Sequence, residues 1–80
     1  MKAYNNRAVA KLSIEKYKEA IIDCNKVIEL DIGKTENTGV AYYNRGLAKL
    51  LLNETKGCDD IKKAKSLGQS ISQEILSICK

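Results

Sequence analysis

A run of side chains in this sequence comes back once, in order and in register. Ala3, Tyr4, Asn6, Arg7, Ala8, Ala10, Lys11 and Leu12 return with every interval kept as Ala41, Tyr42, Asn44, Arg45, Gly46, Ala48, Lys49 and Leu50. Further along, Asp23, Lys26, Val27 and Leu30 return as Asp60, Lys63, Ala64 and Leu67, with one residue fewer between the halves. A repeating unit of about 30 to 40 residues buries its apolar side by stacking on its neighbours.

Each unit reads as two helices. Tyr4, Ala8 and Leu12 recur at helical spacing, and Ala20, Ile21, Cys24, Val27, Ile28 and Leu30 form a second, wider stripe. Ser13, Ile14, Glu15 and Lys16 between them are too few to let the helices separate, which predicts an antiparallel hairpin. Ala8 and Ala20 stand where close approach of the two backbones needs small side chains.

These residues resemble the tetratricopeptide repeat, a module of about 34 residues. Tyr4 fills its aromatic slot, Ala8 and Ala20 its small slots, Tyr17 its turn aromatic, and Leu30 and Asp31 its closing pair. The second unit carries Tyr42, Gly46, Ala64 and Leu67, and its Tyr42–Lys49 run is similar to that of many members. Val27, Ile32, Lys11 and Lys49 depart from the pattern, and the extra spacing between units falls in Asp31–Thr38.

The resemblance implies an all-α fold: antiparallel helix-turn-helix repeats stacked as a short right-handed α-solenoid of about five helices. The expected division is repeat one at 2–32, a loop at 33–38, repeat two at 39–68 and a capping helix at 70–80, all in one domain. Helix one is expected at Lys2–Ser13, helix two at Lys16–Leu30 with Gly33 as its stop, and helix three to about Leu52 after a cap at Thr35, Asn37 or Thr38. Asn53 or Thr55 would start helix four, which ends at Leu67 and Gly68. Ser70 and Gln73 have capping-box spacing for helix five, whose stripe is Ile71, Ile75, Ile78 and Cys79.

The composition excludes several classes of function. The chain has no His, so the usual proton shuttle near neutral pH is missing, and no nucleophile has a base beside it in a motif; the expectation is that it is not an enzyme and uses no cofactor. Three Cys without close pairs do not read as a disulfide framework: Cys24 and Cys58 fall on apolar faces as small hydrophobes, and Cys79 is expected to be exposed. That usage and the absence of a long apolar run or leader pattern predict a reduced, cytoplasmic protein without metal or membrane span. The net charge of +4 raises nucleic acid as a partner, but the lysines alternate with Asp and Glu and no basic stripe emerges.

Function therefore points to binding. In the family, the first helix of each hairpin lines a concave groove that holds a peptide or helix of a partner protein, an adaptor or scaffold role. Carried over by position, that side holds Lys2, Asn5, Asn6, Val9, Leu12 and Ser13 from the first unit and Val40, Tyr43, Asn44, Leu47 and Leu51 from the second. Asn6 and Asn44 match an asparagine that bonds a peptide main chain or terminal carboxylate in chaperone-binding members; of the further basic residues that clamp needs, only Lys2 and Arg45 are present. Tyr43, Leu47 and Leu51 make an apolar strip that either meets a ligand, is buried by Ile71, Ile75 and Ile78, or drives self-association; the other structural alternative is that the chain is an element of a larger array. Arg7 and Arg45 are expected to pair within each hairpin with Asp23 and Asp60.

Overall fold

The computed structural model describes residues 2–31 and 35–79. Five helices follow in order, α1 (Lys2–Ser13), α2 (Tyr17–Leu30), α3 (Glu36–Leu51), α4 (Gly57–Ser66) and α5 (Gln73–Ile78), with no strand among the described residues. α1 packs on α2, α2 on α3 and α3 on α4, with α1 also touching α3, which is a helical-repeat solenoid of two hairpins. The stop expected at Gly33 lies outside the described residues.

Both hairpins turn in the same way. Glu15 and Asn53, equivalent in the duplication, take the left-handed conformation at φ 61° and 63°. The next residue's amide then reaches back to close the helix, Lys16 N to Lys11 O and Glu54 N to Lys49 O, each at 2.8 Å. That six-to-one bond satisfies a carbonyl the helix end would leave bare. Asparagine tolerates the conformation, so Asn53 closes α3 and does not start α4. Amides of Gly57, Cys58 and Asp59 bond three residues back, to Glu54, Thr55 and Lys56, and the α-helix proper begins only at Gly57.

Small residues set how close the helices of a hairpin come. In the first, Ala8 and Ala20 have no exposed surface and share a cluster with Cys24, Val27 and Ala41, backed by Tyr4, Leu12 and Ile28. In the second, Gly46 and Gly57 take the same two places. A Cβ on Gly46 would lie 2.8 Å from both Gly57 O and Ile61 Cδ1, so these backbones approach more closely than even alanine permits. Ile61 and Ala64 complete that buried side.

α3 begins at Glu36, inside the stretch expected as a loop at 33–38. Asp31, buried, accepts through Oδ2 from the Thr35 hydroxyl, from Thr35 N at 3.1 Å and from the Thr38 hydroxyl at 2.7 Å. Thr35 in turn caps α3, accepting from Asn37 N at 3.2 Å. With its first turn tied to Asp31, the helix starts at Glu36, and Thr38 and Gly39 are inside it. The hydrogen bonds from Thr35 and then Thr38 hold the Asp31 carboxyl below its usual pKa.

Past α4, Gly68 at φ 95° ends the helix as anticipated, but α5 starts later than Ser70. Ser72 is the cap, in the extended conformation, accepting weakly from Ile75 N at 3.4 Å. α5 has no buried residue and packs closely along none of the longer helices; Ile78 is 67% exposed. What ties it down is covalent. Cys58 and Cys79 form a disulfide, with Cα atoms 5.2 Å apart and a sequence separation of 21, and Cys79 is buried. This corrects the reading of three unpaired thiols with Cys79 exposed: the chain turns back after Gly68 and brings its end to the start of α4, a proximity that residue spacing does not encode. The cysteine argument for a reduced compartment falls with it. Cys24 does behave as a small hydrophobe, with burial pushing its thiol up to about 12.

Closing a loop of about twenty residues restricts the open chain by about 3 kcal/mol. Reduction with a dithiol, or Cys58→Ser, is therefore expected to strip amide-exchange protection from Gln73–Cys79 while α1 to α3 keep theirs. Unchanged protection in α5 after reduction would show that something other than the covalent tie holds it.

Candidate functional site

Along α1 and α3 the expected groove residues divide by environment. Lys2 and Asn6 are exposed, Val9 is 51% exposed, and Leu12 is half-buried beside exposed Ser13. On α3, Val40, Tyr43 and Leu47 are half-buried and Leu51 is 55% exposed. Since α5 lies along neither helix, it does not bury the Tyr43, Leu47, Leu51 strip; Ile71 and Ile75 are themselves only half-buried. Hollows in the surface lie elsewhere: one of about 260 Å³ at the α1–α2 turn, lined by Glu15–Glu19 and Leu52, and one of about 390 Å³ beside Ala3, Tyr4 and Arg7.

The asparagines behave differently from their positional match. Asn6 and Asn44 are equivalent in the duplication, yet Asn6 is exposed and Asn44 is buried at 4% exposure. Asn44 lies on α3, with α1 alongside, and its Nδ2 has no hydrogen-bond partner among the described residues. Asn5 is buried too. Its Nδ2 donates to Asn37 O at 3.1 Å, joining α1 to the first turn of α3, while its Oδ1 is left without a partner. Asn5 thus spends its donor on the fold, where the family position would place it wholly in the groove.

Each hairpin also holds a polar cluster. Positions 4, 7 and 11 of α1 lie on one face, opposite Asp23 on α2. Arg7 donates to Asp23 through Nε at 3.0 and 3.1 Å and through Nη2 at 2.7 Å, and Lys11 Nζ lies 3.0 Å from the same carboxylate. In the second hairpin Arg45 donates through Nε at 2.9 Å and Nη2 at 2.8 Å to Asp60, with Lys49 Nζ at 3.2 Å. Tyr4 and Tyr42 lie under the guanidinium groups, 5.4 and 5.1 Å from ring centre to Cζ. The pairing expected inside each hairpin is thus present, and the lysines that depart from the family's aromatic slot complete it. The hydrogen bond from Arg7 outweighs burial and holds the Asp23 carboxyl below its usual pKa, and the hydrogen bond to Asp60 raises that of Arg45.

One contact crosses between hairpins. Arg45 Nη1 donates to Asn25 Oδ1 on α2 at 2.9 Å. Asn25 was not singled out from the sequence, since nothing in its own hairpin marks it; only its position opposite Arg45 does.

Two antiparallel hairpins stacked in register, first helices side by side, with a structural ion cluster inside each, define a helical-repeat protein. Residues 2–31, the whole of the first hairpin, match the family model of the tetratricopeptide repeat, which supports assigning that hairpin to the family. The second hairpin is equivalent to the first through the duplication and the shared turn and cluster. No curated protein and no solved structure matches the chain. Repeats of this family are in general non-catalytic modules for protein–protein interaction. Among the described residues no helix is long and apolar enough to cross a membrane.

The clusters make two predictions. Asp60→Ala leaves Arg45, only 20% exposed, and Lys49 without a counter-charge, and is expected to cost about 2–3 kcal/mol, or roughly 10–20 °C in melting temperature. Asp23→Ala should cost less, because Arg7 is 57% exposed and can hydrate; a larger loss for Asp23 in thermal denaturation would contradict this.

The second concerns pH. Asp23 and Asp31 are depressed in the folded chain, so their stabilisation is complete above the unfolded carboxylate value of about 3.9 and is lost as pH falls through the lower folded values. The melting temperature should be flat from pH 7 to about 5 and fall below about 4. A midpoint near pH 6 would refute the assignment, since the chain has no His.

Proposed function

We propose that the chain captures an extended segment of another protein across the first-helix side of its hairpins, and so acts as an adaptor. The carrying observation is the uncovered apolar row there: Val9 and Leu51 more than half exposed, with Val40, Tyr43 and Leu47 half-buried between them. Apolar side chains in a row on adjacent helices and left uncovered mark a contact surface. Exposed Asn6, beside this row on α1, supports the same reading, since its amide can both donate to and accept from an extended main chain.

Selecting ligands from a random peptide library on the intact protein tests this. Selected peptides are expected to lose about tenfold or more in affinity against a Tyr43→Ala, Leu47→Ala double variant, about 1.4 kcal/mol or more. Their affinity should change little with salt. Equal affinity for the double variant would remove the groove as the site, and a steep fall with salt would point to phosphate-like contacts on the lysines instead.

A further inference from the structure

The turn between α3 and α4 carries a motif that the first hairpin lacks. Asn53, Glu54 and Thr55 have the Asn-x-Thr order of an N-glycosylation acceptor, and none of the other five asparagines is followed two places on by Ser or Thr. The equivalent positions in the first hairpin are Glu15, Lys16 and Tyr17, so the second unit has a threonine where the first has its turn aromatic. All three residues of the motif are exposed. Main-chain bonds close the turn around them: Asn53 N donates to Leu50 O at 3.0 Å, Glu54 N to Lys49 O at 2.8 Å and Cys58 N to Thr55 O at 3.1 Å. A bulky group on the Asn53 side chain would break none of these. The left-handed turn position, at φ 63°, is one that asparagine tolerates, so the residue that suits the turn is also the one that suits the chemistry.

The cysteines give a second observation, independent of the motif. Asparagine glycosylation belongs to secreted chains, and the compartments they pass through also form and keep disulfides. Cys58, three residues after Thr55, is bonded to Cys79. In such a compartment an odd cysteine left exposed invites pairing between chains. The odd one here is protected: Cys24 has no exposed surface, and burial pushes its thiol up to about 12, so it presents no thiolate to attack a disulfide.

We propose that Asn53 is a glycan acceptor, modified as the chain passes through an oxidising compartment of the secretory route. The donor is an oligosaccharide carried on a lipid diphosphate. The bond from its anomeric carbon to the diphosphate oxygen breaks, and the lipid diphosphate leaves with the electron pair. Asn53 Nδ2 gives up one proton and forms the new carbon–nitrogen bond. Thr55 is the recognition element, its hydroxyl two residues on from the acceptor amide. Tyr43 lies ten residues of chain away along α3, roughly 15 Å, so the proposal stands whether or not the groove binds a peptide.

Mass spectrometry of the chain purified from its own cells, with free thiols trapped at lysis, tests this. Trypsin cleavage after Lys49 and Lys56 isolates the motif in residues 50–56. The expected result is that peptide carrying N-acetylhexosamine and hexose on Asn53, converted to labelled aspartate when a glycan-releasing amidase acts in heavy-oxygen water. A peptide pair joined through Cys58 and Cys79 is expected in the same digest. Thr55→Ala and Asn53→Gln, expressed in the same cells, should each lose the added mass entirely, while Thr55→Ser keeps it. Thr55→Ala should melt as the enzymatically deglycosylated wild type does, because Thr55 is exposed, so loss of the glycan is not loss of the fold. A wholly unmodified 50–56 peptide, recovery of Cys58 and Cys79 as free thiols, or a glycan that persists on Thr55→Ala would each overturn the proposal.

Discussion

Backbone approach within each hairpin governs the rest of this structure. Ala8 with Ala20 and Gly46 with Gly57 leave almost nothing between the helices, and at Gly46 an added methyl would meet a carbonyl oxygen at 2.8 Å. The short separation brings Asp23 within reach of both Arg7 and Lys11, and Asp60 within reach of both Arg45 and Lys49. A longer separation would leave each carboxylate buried with one partner or none, and an unpaired buried carboxylate is costly. Small core residues and the ion clusters are thus two halves of one arrangement. Little large apolar bulk is needed: Ile61 and Val27 are the largest fully buried side chains.

These clusters specify more than they stabilise. Each pairs two cations with one carboxylate, and the gain from the contact is offset by desolvation. What they do impose is register, since a shift of α2 against α1 would take Asp23 away from both partners. Between hairpins the same task falls to smaller contacts, Asn25 to Arg45, Asn5 to Asn37 and the Asp31 strap to Thr35 and Thr38. All three join at α3, the longest helix and the one packed against α1, α2 and α4 alike.

Much of this was legible from the duplication alone. α1 begins and ends as read, and the Arg–Asp pairs follow from their repeated spacing. The misreadings share a cause: each needed a contact across sequence. Glu36–Gly39 look like loop by composition, but Thr35, one of the three expected caps, and Asp31, which accepts from Thr35 and Thr38, set the start of the helix at Glu36. Asn53 looks like a cap for α4 until the bond from Glu54 N to Lys49 O shows it closing α3. Ser70 has the better capping-box spacing, yet Ser72 is the residue in the extended conformation before α5. Cys58 and Cys79 carry no sequence mark of their pairing. In the groove, position predicted which helix carries each residue, and burial then separated Asn5 and Asn44 from the exposed Val9 and Leu51.

Equal residues in unequal surroundings are where function enters. A perfect stack of identical units would give every copy of a residue the same neighbours, except at its two outer faces. Here Ala3 and Ala41, Arg7 and Arg45, Asn6 and Asn44 are the same chemistry, and in each pair the first member is the more exposed and the second is closed in by the neighbouring hairpin. The covered member shows what fits its partner: a helix with an oxygen acceptor for the arginine. Because Arg45 is already held by Asp60 and Tyr42, the contact with Asn25 does not have to order it, and the entropy of fixing a long side chain is met within its own hairpin.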